Sequence, residues 1–363
     1  MKVAVITALW YEDKFLPALF ASLERVEYLP EDWEIIMIDN KNSSVTKKWF
    51  EDHVYPKIGK SLPTVTLLPT GKNLGFAGGN NACIRAAKAH GCDAVYLLNE
   101  DARGERDFLK EAARRMSEND RIGAVQSFLL LDPTGGANSI GNELHYLGFS
   151  YCGGYKMPRH DAEGYLRVRR LDDPDLSIAA ASGAAVLLRM SALDHVGLLD
   201  ENYHLYHEDL DLSLRLREAG YKAVIEPASV VHHRYEFSRS IDKYYWMERN
   251  RYRLLLEHYK VATLLVLLPG SIVSELGLIV FGAVNGSLGA RLRAYGHILD
   301  LRNWSEIAEK RRRLQALRTI SDRELLASAV SDISFQETAS PAMKIINPLM
   351  AAYWAAARRI IHW

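Results

Sequence analysis

Short β-branched runs alternate with helix-like segments over the first 130 residues, and this alternation most restricts the possible folds. Strand composition is found at Val3–Ile6, Glu34–Ile38, Val65–Leu68 and Ala94–Leu98. The segments between them carry apolar residues at the spacing of amphipathic helices, at Glu12–Leu23, Val45–His53 and Asn81–Ala89. Strands joined by helices need right-handed crossovers. The pattern therefore predicts an α/β fold with a doubly wound, mostly parallel sheet.

Polar residues follow the predicted strands at the ends where sheets of this kind bind ligands. Asp39 follows the second strand, and Asp101 closes the sequence Asn99-Glu100-Asp101 after the fourth. Oxygen ligands of this type suit Mg²⁺ or Mn²⁺. Between them, the segment from Asn73 to Asn81 contains three glycines, which would allow backbone N–H groups to approach a phosphate or sugar. A simple glycine-rich turn is the alternative, since neither a Walker A loop nor a GxGxxG fingerprint is present.

A third polar cluster places Glu208, Asp209 and Asp211 at the start of a predicted helix. A helix N-terminus favours negative charge, so the plain alternative is an acidic first turn with an Asp211–Arg215 pair at i,i+4. Farther along, His232 and His233 end a strand-like segment. Neighbouring residues of a strand point to opposite faces, so at most one of these histidines can easily face a site.

The C-terminal third is basic and apolar. From residue 241 onward there are 17 Lys and Arg against 11 Asp and Glu, a charge of +6 that leaves −6 on the remainder. Residues 261–284 form an apolar run interrupted by Pro269-Gly270 and Glu275, which favours an interfacial or re-entrant helical hairpin over a spanning helix or a buried core helix. Basic residues alternating with aliphatic ones favour an anionic membrane surface and no nucleic acid.

Two further features concern compartment and local order. The three cysteines show no metal-ligand spacing, and their small, odd number suits a reducing cytoplasm. The first apolar run is too short for the core of a signal peptide. Residues 132–176 are rich in Gly, Pro, Asp and Tyr, which predicts loops and short strands.

Taken together and in order, these segments resemble glycosyltransferase family 2, in particular its bacterial rhamnosyltransferase-like members. Each string is weak alone, but seven in sequence over residues 1–260 are specific. The matching strings are Asp39-Asn40, Asn73 to Asn81, Leu98 to Asp101, Ser182 to Ala185, Gly197 to Glu201, Glu208 to Arg215, and Arg249-Asn250-Arg251.

The resemblance implies a GT-A fold, a nucleotide-sugar donor, a divalent metal (Mg²⁺ or Mn²⁺) and inversion at the anomeric carbon. By position, Asp39 resembles the nucleotide-binding acid and Asp101 the last acid of the metal motif. Asp209 resembles the general base, and His233 the metal-binding histidine. The other positions expected to contact substrate are Asn40, Asn73, Gly75, Gly78, Asn81, Gly183, Glu208, Arg249 and Asn250.

The resulting prediction divides the chain into three parts. Residues 1–240 form the catalytic domain, with a nucleotide-sugar half at 1–130 and an acceptor half carrying the base at 131–240. An apolar, membrane-associated helical segment follows at 241–300, and a basic, amphipathic helical tail at 301–363. The expected enzyme moves rhamnose or a similar hexose from a dTDP- or UDP-sugar to a glycan or lipid-linked glycan acceptor. It would act in cell-surface polysaccharide synthesis, peripherally on the cytoplasmic face of the cell membrane.

Three alternatives stay open from the sequence. A nucleotidyltransferase would need a glycine-rich basic loop after the first strand, but Thr7–Lys14 contains no glycine. A non-catalytic subunit that binds sugar nucleotides or glycans would not need the base and metal positions, which are all present. The apolar C-terminal helices could also form a homo-oligomer interface in place of a membrane face.

Overall fold

The computed structural model describes residues 1–11, 13–235, 242–332 and 343–363. The strands in these ranges are β1 Val3–Leu9, β2 Trp33–Asp39, β3 Thr64–Leu68, β4 Ala94–Leu98, β5 Ala102–Gly104, β6 Ile122–Leu131, β7 Ala137–Ser139, β8 Asn142–Leu144, β9 Ser150–Cys152, β10 Ala185–Arg189 and β11 Lys222–His233. The helices of the first 235 residues are α1 Leu16–Leu23, α2 Ser44–His53, α3 Gly75–Ala89, α4 Phe108–Ser117, α5 Arg159–Asp172, α6 Met190–Val196 and α7 Glu208–Glu218. Those that follow are α8 Asp242–His258, α9 Val261–Asn285, α10 Leu288–Leu299, α11 Trp304–Leu317, α12 Asp322–Leu325 and α13 Met343–Ile360.

The main sheet combines a parallel half, as the sequence predicts, with a mixed half. Its strand order is β3-β2-β1-β4-β10-β6-β11-β5. The first four strands are mutually parallel. Strand β10 runs antiparallel to both β4 and β6, whereas β11 runs parallel to β6. The carboxyl ends of β1, β2 and β4 therefore meet at one edge of the sheet, where the predicted acids lie.

Both faces of the sheet are covered by helices, which explains the nearly unbroken apolar strands. Helices α1, α2 and α4 pack on one face through residues such as Leu19, Phe50 and Phe108. Helices α3, α6 and α7 pack on the other through residues such as Ile84 and Leu193. The site residues are consequently carried on elements fixed by core packing.

Helix α7 is buried on opposite sides by two different cores. Leu212 and Leu216 join the core beneath the sheet. Leu210 and Leu214 join a separate core built from α8, α9, α12, α13 and the β8–β9 region. The leucines of α7 therefore face two separate cores, and the C-terminal helices pack against the helix that carries the predicted base.

Three local predictions from the sequence are wrong. The helix predicted from Asn81 begins at Gly75, so Gly78 and Asn81 lie inside α3 and not in a loop before it. The region expected to hold only loops and short strands contains the 14-residue helix α5. That helix buries only Ala162 and Leu166, too few apolar positions to show a clear period in the sequence.

The third correction concerns residues 261–284, which form the single continuous helix α9 instead of a hairpin. Pro269-Gly270 makes a packing site and not a turn, since a Cβ on Gly270 would lie 2.5 Å from Cε1 of Tyr353 on α13. Among the described residues, α9 is the helix long and apolar enough to cross a membrane. One side of it is exposed, and we call this surface the apolar stripe: Leu265, Leu268, Ile272, Val273, Leu276 and Val280.

The predicted boundary between the catalytic domain and the C-terminal segment, at residue 240, lies outside the described residues. The chain is described up to Tyr235 and again from Asp242. The three-part division itself stays a prediction.

Candidate active site

The residues at the carboxyl end of β2 bind the neighbouring backbone. Asp39 is buried, and its two carboxylate oxygens accept hydrogen bonds from the N–H groups of Lys41 at 3.0 Å and Ser43 at 2.8 Å. Asn40 donates from Nδ2 to the Gly75 carbonyl at 3.0 Å and accepts from the Leu74 N–H at 3.3 Å. Asp39 keeps lone pairs for a ligand, whereas the Asn40 amide fixes the start of α3 against the sheet.

The glycine-rich segment is shaped by close packing. Asn73 accepts from the Gly75 N–H at 2.8 Å, and Gly75 has a φ of +69°, a conformation that glycine adopts without strain. A Cβ on Gly79 would lie 2.8 Å from Nδ2 of Asn40. The backbone of α3 can therefore approach β2 only because residue 79 is glycine, which the sequence analysis did not single out.

The other end of this segment contacts a loop from the second half of the domain. Asn81 is buried, donates to the Leu199 carbonyl at 2.8 Å and accepts from the Leu199 N–H at 3.1 Å. A Cβ on Gly78 would lie 3.5 Å from Oε2 of Glu201. The contact of Asn81 and Gly78 with substrate stays a prediction, and their observed role is to join the two halves.

Glu100, the middle acid after β4, holds the loop that follows β1. Its carboxylate accepts from the backbone N–H groups of Trp10 and Tyr11 at 3.0–3.3 Å. Burial raises the pKa of Glu100 to about 7, and the nearby charges of Asp101 and Asp39 act in the same direction. The sequence did not indicate that Glu100 joins the ends of β4 and β1, because Glu100 was interpreted as part of the metal motif.

Asp101 and His233 meet, as the family resemblance implies, although 132 positions separate them in the chain. His233 Nε2 lies 3.3 Å from Asp101 Oδ1, and the backbone N–H of Arg234 donates to the Asp101 carbonyl at 2.9 Å. On the other side of the ring, His233 Nδ1 donates to Asn138 Oδ1 at 2.9 Å. Asn138 is therefore a further residue of this cluster, and it carried no signal in the sequence.

This pair fits a divalent cation. In the neutral tautomer whose Nδ1 donates to Asn138, Nε2 has a lone pair that can bind a cation together with the Asp101 carboxylate, 3.3 Å away. Within the described ranges, no group of three or more His, Cys, Asp or Glu side chains could hold a metal. Two protein ligands plus donor phosphates and water are typical of Mg²⁺ and Mn²⁺ sites in nucleotide enzymes.

Asp209 lies in the first turn of α7 and is only partly exposed. Its Oδ2 accepts from the Gly183 N–H at 3.1 Å and its Oδ1 from the Leu210 N–H at 2.8 Å. Burial raises the pKa of Asp209, and these two backbone donors offset part of the rise. A Cβ on Gly183 would lie 3.3 Å from the Phe76 ring and 3.5 Å from Asp209 Cβ, so position 183 has little room for a side chain.

Glu208 is buried next to Asp209. Its Oε2 has no hydrogen-bond partner among the described residues. Burial raises the pKa of Glu208 to about 8, with a further contribution from the neighbouring charge of Asp209. Burial therefore favours the neutral acid form of Glu208 at neutral pH.

The loop that leads into α7 is strained and is held by α8. His204, Tyr206 and His207 all have positive φ values of 59–70°, which is unfavourable for residues other than glycine. Asn250 donates from Nδ2 to the carbonyls of Tyr203, Leu205 and Tyr206 at 2.7–2.9 Å. Arg249 donates to the Asn202 carbonyl at 2.8 Å. Both residues, predicted to contact substrate, are observed to fix the backbone that positions Asp209.

The two chemical clusters are joined through the adjacent central strands β4 and β10. The Asn99 N–H donates to the Ala184 carbonyl at 3.0 Å, directly beside the Gly183 N–H that binds Asp209. The acid-histidine pair and the proposed base therefore lie around the same end of β4. This arrangement can hold a cation and a basic carboxylate at the same end of the sheet.

Solved structures with similar folds are glycosyltransferases. GalNAc-T7 with UDP, GalNAc and Mn²⁺ has a TM-score of 0.55 at 15% identity, covering 71% of this chain and 48% of that chain. The mannosyltransferase PcManGT of Pyrobaculum calidifontis, in complex with GDP-Man and Mn²⁺, has a TM-score of 0.51 at 18% identity over 87% and 86%. S. aureus TarS has a TM-score of 0.51 at 14% identity over 99% and 55%. The predicted GT-A fold is confirmed.

Sequence relatives come from mycobacteria. The N-acetylglucosaminyl-diphospho-decaprenol L-rhamnosyltransferase of Mycobacterium tuberculosis H37Rv is 33% identical over 180 residues, which are 46% of this chain and 57% of the relative. An uncharacterized protein of Mycobacterium bovis is 28% identical over 166 residues, or 45% and 55%. The chain spans little more than half the length of these curated relatives. The family model described as glycosyl transferase family 2 matches residues 4–197, more than half of the chain. On this match and the fold, the chain belongs to glycosyl transferase family 2.

Proposed function

We propose that this protein is an inverting, metal-dependent hexosyltransferase that moves rhamnose or a similar hexose from a dTDP- or UDP-sugar to a lipid-linked glycan. The observation that carries the proposal is the placement of Asp209. It is a partly exposed carboxylate of raised pKa, held by the Gly183 N–H at the same end of β4 as the Asp101–His233 pair. A basic carboxylate and a cation site on one cleft are what an inverting transfer requires.

In the proposed step, the acceptor hydroxyl oxygen forms a bond to the anomeric carbon as the bond from that carbon to the donor diphosphate breaks. The hydroxyl proton passes to Asp209, which must be ionised to accept it. The raised pKa makes Asp209 a better base than an ordinary aspartate, because proton transfer becomes more favourable as the pKa approaches the working pH. Attack on the face opposite the diphosphate gives inversion.

Asp101 and His233 would hold the Mg²⁺ or Mn²⁺. When bound, this cation neutralises the charge that develops on the departing diphosphate. Asn138 orients the His233 ring for this purpose. Asp39 would accept from the nucleotide, since its oxygens retain lone pairs beyond the two backbone N–H groups they already bind.

The substrate classes are supported by similarity. The mycobacterial relative is named for rhamnosyl transfer to a diphospho-decaprenol-linked sugar. TarS has been solved with UDP-GlcNAc at a TM-score of 0.50, covering 99% of this chain and 89% of that chain at 13% identity. A lipid-linked acceptor of this kind would place the protein in cell-surface polysaccharide synthesis.

We further propose that the protein lies peripherally on the cytoplasmic face of the cell membrane. The apolar stripe runs along one side of α9, while Thr263, Leu267 and Leu278 bury the other side against the protein. Glu275, at the border of the stripe, accepts from Arg251, Tyr252 and Tyr295 at 2.5–2.8 Å. Because the buried side is bound to the protein, α9 can enter a bilayer only in part, as an interfacial helix does. A homo-oligomer that covers the stripe is the alternative.

The test is a transfer assay with the purified full chain, dTDP-rhamnose or UDP-hexoses, and a short-chain polyprenyl-diphosphate sugar as acceptor. We expect Mn²⁺- or Mg²⁺-dependent product with inverted configuration by NMR. Asp209→Asn should keep donor binding and lose transfer by about two orders of magnitude or more. Asp194→Asn, an exposed change on α6, is the control.

Two outcomes would contradict the proposal. Donor binding without transfer or hydrolysis under any acceptor condition would indicate a binding subunit. Release of pyrophosphate from a nucleoside triphosphate and a sugar phosphate would indicate a nucleotidyltransferase. An Asp209→Asn variant with near wild-type turnover would remove Asp209 from the mechanism but leave the transferase activity in place.

A further inference from the structure

A basic pocket lies between α12 and α13, outside the catalytic cleft. It encloses about 460 Å³ and is lined by Arg323, Arg358 and Arg359 together with Leu326, Trp354 and Ile361. The three arginines are exposed, and in the part of the chain that the structure describes none of them pairs with a carboxylate. Three guanidinium groups over an apolar floor form a site that attracts an anion.

The floor of this pocket is rigid. Trp354 is buried and stacks on Tyr146 with ring centroids 4.8 Å apart and an angle of 3° between the rings. Leu326 and Ile361 belong to the same buried core. The pocket is therefore formed by packed helices, with the arginine side chains at its rim, and does not depend on the position of a loose loop.

The pocket and the apolar stripe lie on helices that contact each other. Tyr353 donates to the Val266 carbonyl, and the Trp363 indole donates to Thr263 Oγ1 at 2.8 Å. These contacts show that α13 runs antiparallel to α9, so its last turn, with Arg358 and Arg359, lies beside the first turns of α9. Leu265 on α9 and Ile360 on α13 are exposed apolar residues of these neighbouring turns.

We propose that this pocket binds the phosphate headgroup of an anionic phospholipid while the apolar stripe contacts the acyl chains. This inference rests on the membrane association proposed above and names the lipid it requires. Guanidinium groups bind phosphate through paired N–H donors. An apolar helix face alone gives weak, reversible membrane binding, and adjacent basic residues supply the second attraction that anionic lipids need. Charge complementarity favours a lipid surface over a second copy of this chain. If two copies met through this pocket, the arginines of one copy would face the arginines of the other and repel them.

The test compares binding of the full chain to vesicles of phosphatidylcholine alone and of phosphatidylcholine with phosphatidylglycerol, measured by cosedimentation. The variant combines Arg323→Gln, Arg358→Gln and Arg359→Gln. The control removes the same charge elsewhere, with Lys47→Gln, Arg312→Gln and Arg313→Gln. We expect the wild type and control to bind phosphatidylglycerol vesicles, and the pocket variant to bind them at least tenfold more weakly.

Several results would overturn the inference. Equal affinity for both vesicle types would show that no headgroup charge is recognised, and an equal loss in pocket variant and control would show diffuse attraction only. A wild type that ignores vesicles but sediments as an oligomer would assign the stripe to a second copy. Transfer to the short-chain acceptor in detergent is the separate readout of the proposed function. Transfer in detergent should be unchanged in the pocket variant. If the wild type showed no transfer in detergent, the proposed transferase function would be refuted, while the result for vesicle binding would still stand.

Discussion

The ammonium group of Lys310 on α11 lies 2.7 Å from Oδ1 of Asp211 on α7. Lys310 also contacts Asp200 and Glu257, at 2.5 Å and 2.9 Å. Within α7, the predicted ion pair of Arg215 with Asp211 is present at 2.8 Å. A C-terminal helix is thereby joined by buried charges to the helix that carries the proposed base, which makes these helices part of the catalytic scaffold.

Replacing Lys310 by Met should destabilise the protein strongly. The change leaves Asp200, Asp211 and Glu257 with one cation fewer in a buried site, and breaking a buried ion pair costs about 3–5 kcal/mol. The measurement is the free energy of unfolding from urea denaturation at pH 7.5. Arg312→Met, exposed on the same helix, should cost under about 0.5 kcal/mol. Similar losses in the two variants would contradict a central role for Lys310.

Glu208→Gln should change how stability and activity depend on pH. The pKa of Glu208 is raised from 4.5 to about 8 by burial and by Asp209, so the fold favours its protonated form. Wild-type stability should therefore decline as pH rises from about 4.5 to 8, because the unfolded chain releases this proton first. Glutamine cannot ionise, so the variant lacks this decline.

Unfolding free energies measured at pH 5.5 and 8.5 check this prediction, with the exposed change Glu51→Gln as control. The unfolding free energy of the Glu208→Gln variant, relative to that of the wild type, should be higher at pH 8.5 than at pH 5.5. Transfer near pH 6.5 should stay close to wild type, since Glu208 is already neutral there. Parallel stability curves for the two proteins would show that Glu208 is ionised at neutral pH.

Asn138→Ala should weaken metal binding. Without the Asn138 oxygen, His233 loses the acceptor that fixes its ring and tautomer, and loss of such a partner costs about 10–100-fold in metal affinity. Titration of Mn²⁺ in the presence of donor, followed by electron paramagnetic resonance, measures this without relying on turnover. Asn119→Ala, which removes a turn contact to Arg121, is the matched control. An unchanged Mn²⁺ affinity would separate Asn138 from the metal site.

Asn250→Ala should reduce turnover more than donor binding. The change leaves three carbonyls of the strained 203–206 loop without their donor, which costs about 1–3 kcal/mol and frees the loop that sets the position of Asp209. Asn303→Ala, which removes an amide bond to the His297 carbonyl on α10, is the control. If the donor KM rises while kcat stays constant, Asn250 contacts the donor directly, as the sequence resemblance implied.

The sequence was most informative where residue type alone sets the chemistry. Strand composition placed β1, β2, β3 and β4 within two or three residues of their observed ends, because buried parallel strands need continuous apolar runs. The acids at 39 and 101 follow those strands directly, and parallel strands bring their carboxyl ends to one edge of the sheet. The pairing of Asp101 with His233 could be predicted only through the family resemblance, since the two residues lie far apart in the chain.

The tertiary structure decided which polar residues are scaffold. Asn40, Asn81 and Asn250 stand in the matching strings, yet their amides bind backbone groups, and the partner of Asn81 is 118 positions away. Buried backbone N–H and carbonyl groups need hydrogen-bond partners, and a side-chain amide can serve both. The sequence does not show which backbone groups folding leaves without a partner. Likewise, Pro269-Gly270 reads as a turn, but the ring of Tyr353 packs against Gly270 and α9 continues. Local composition determined the strands and the acids at their ends, whereas contacts between distant segments determined which side chains remain free for chemistry.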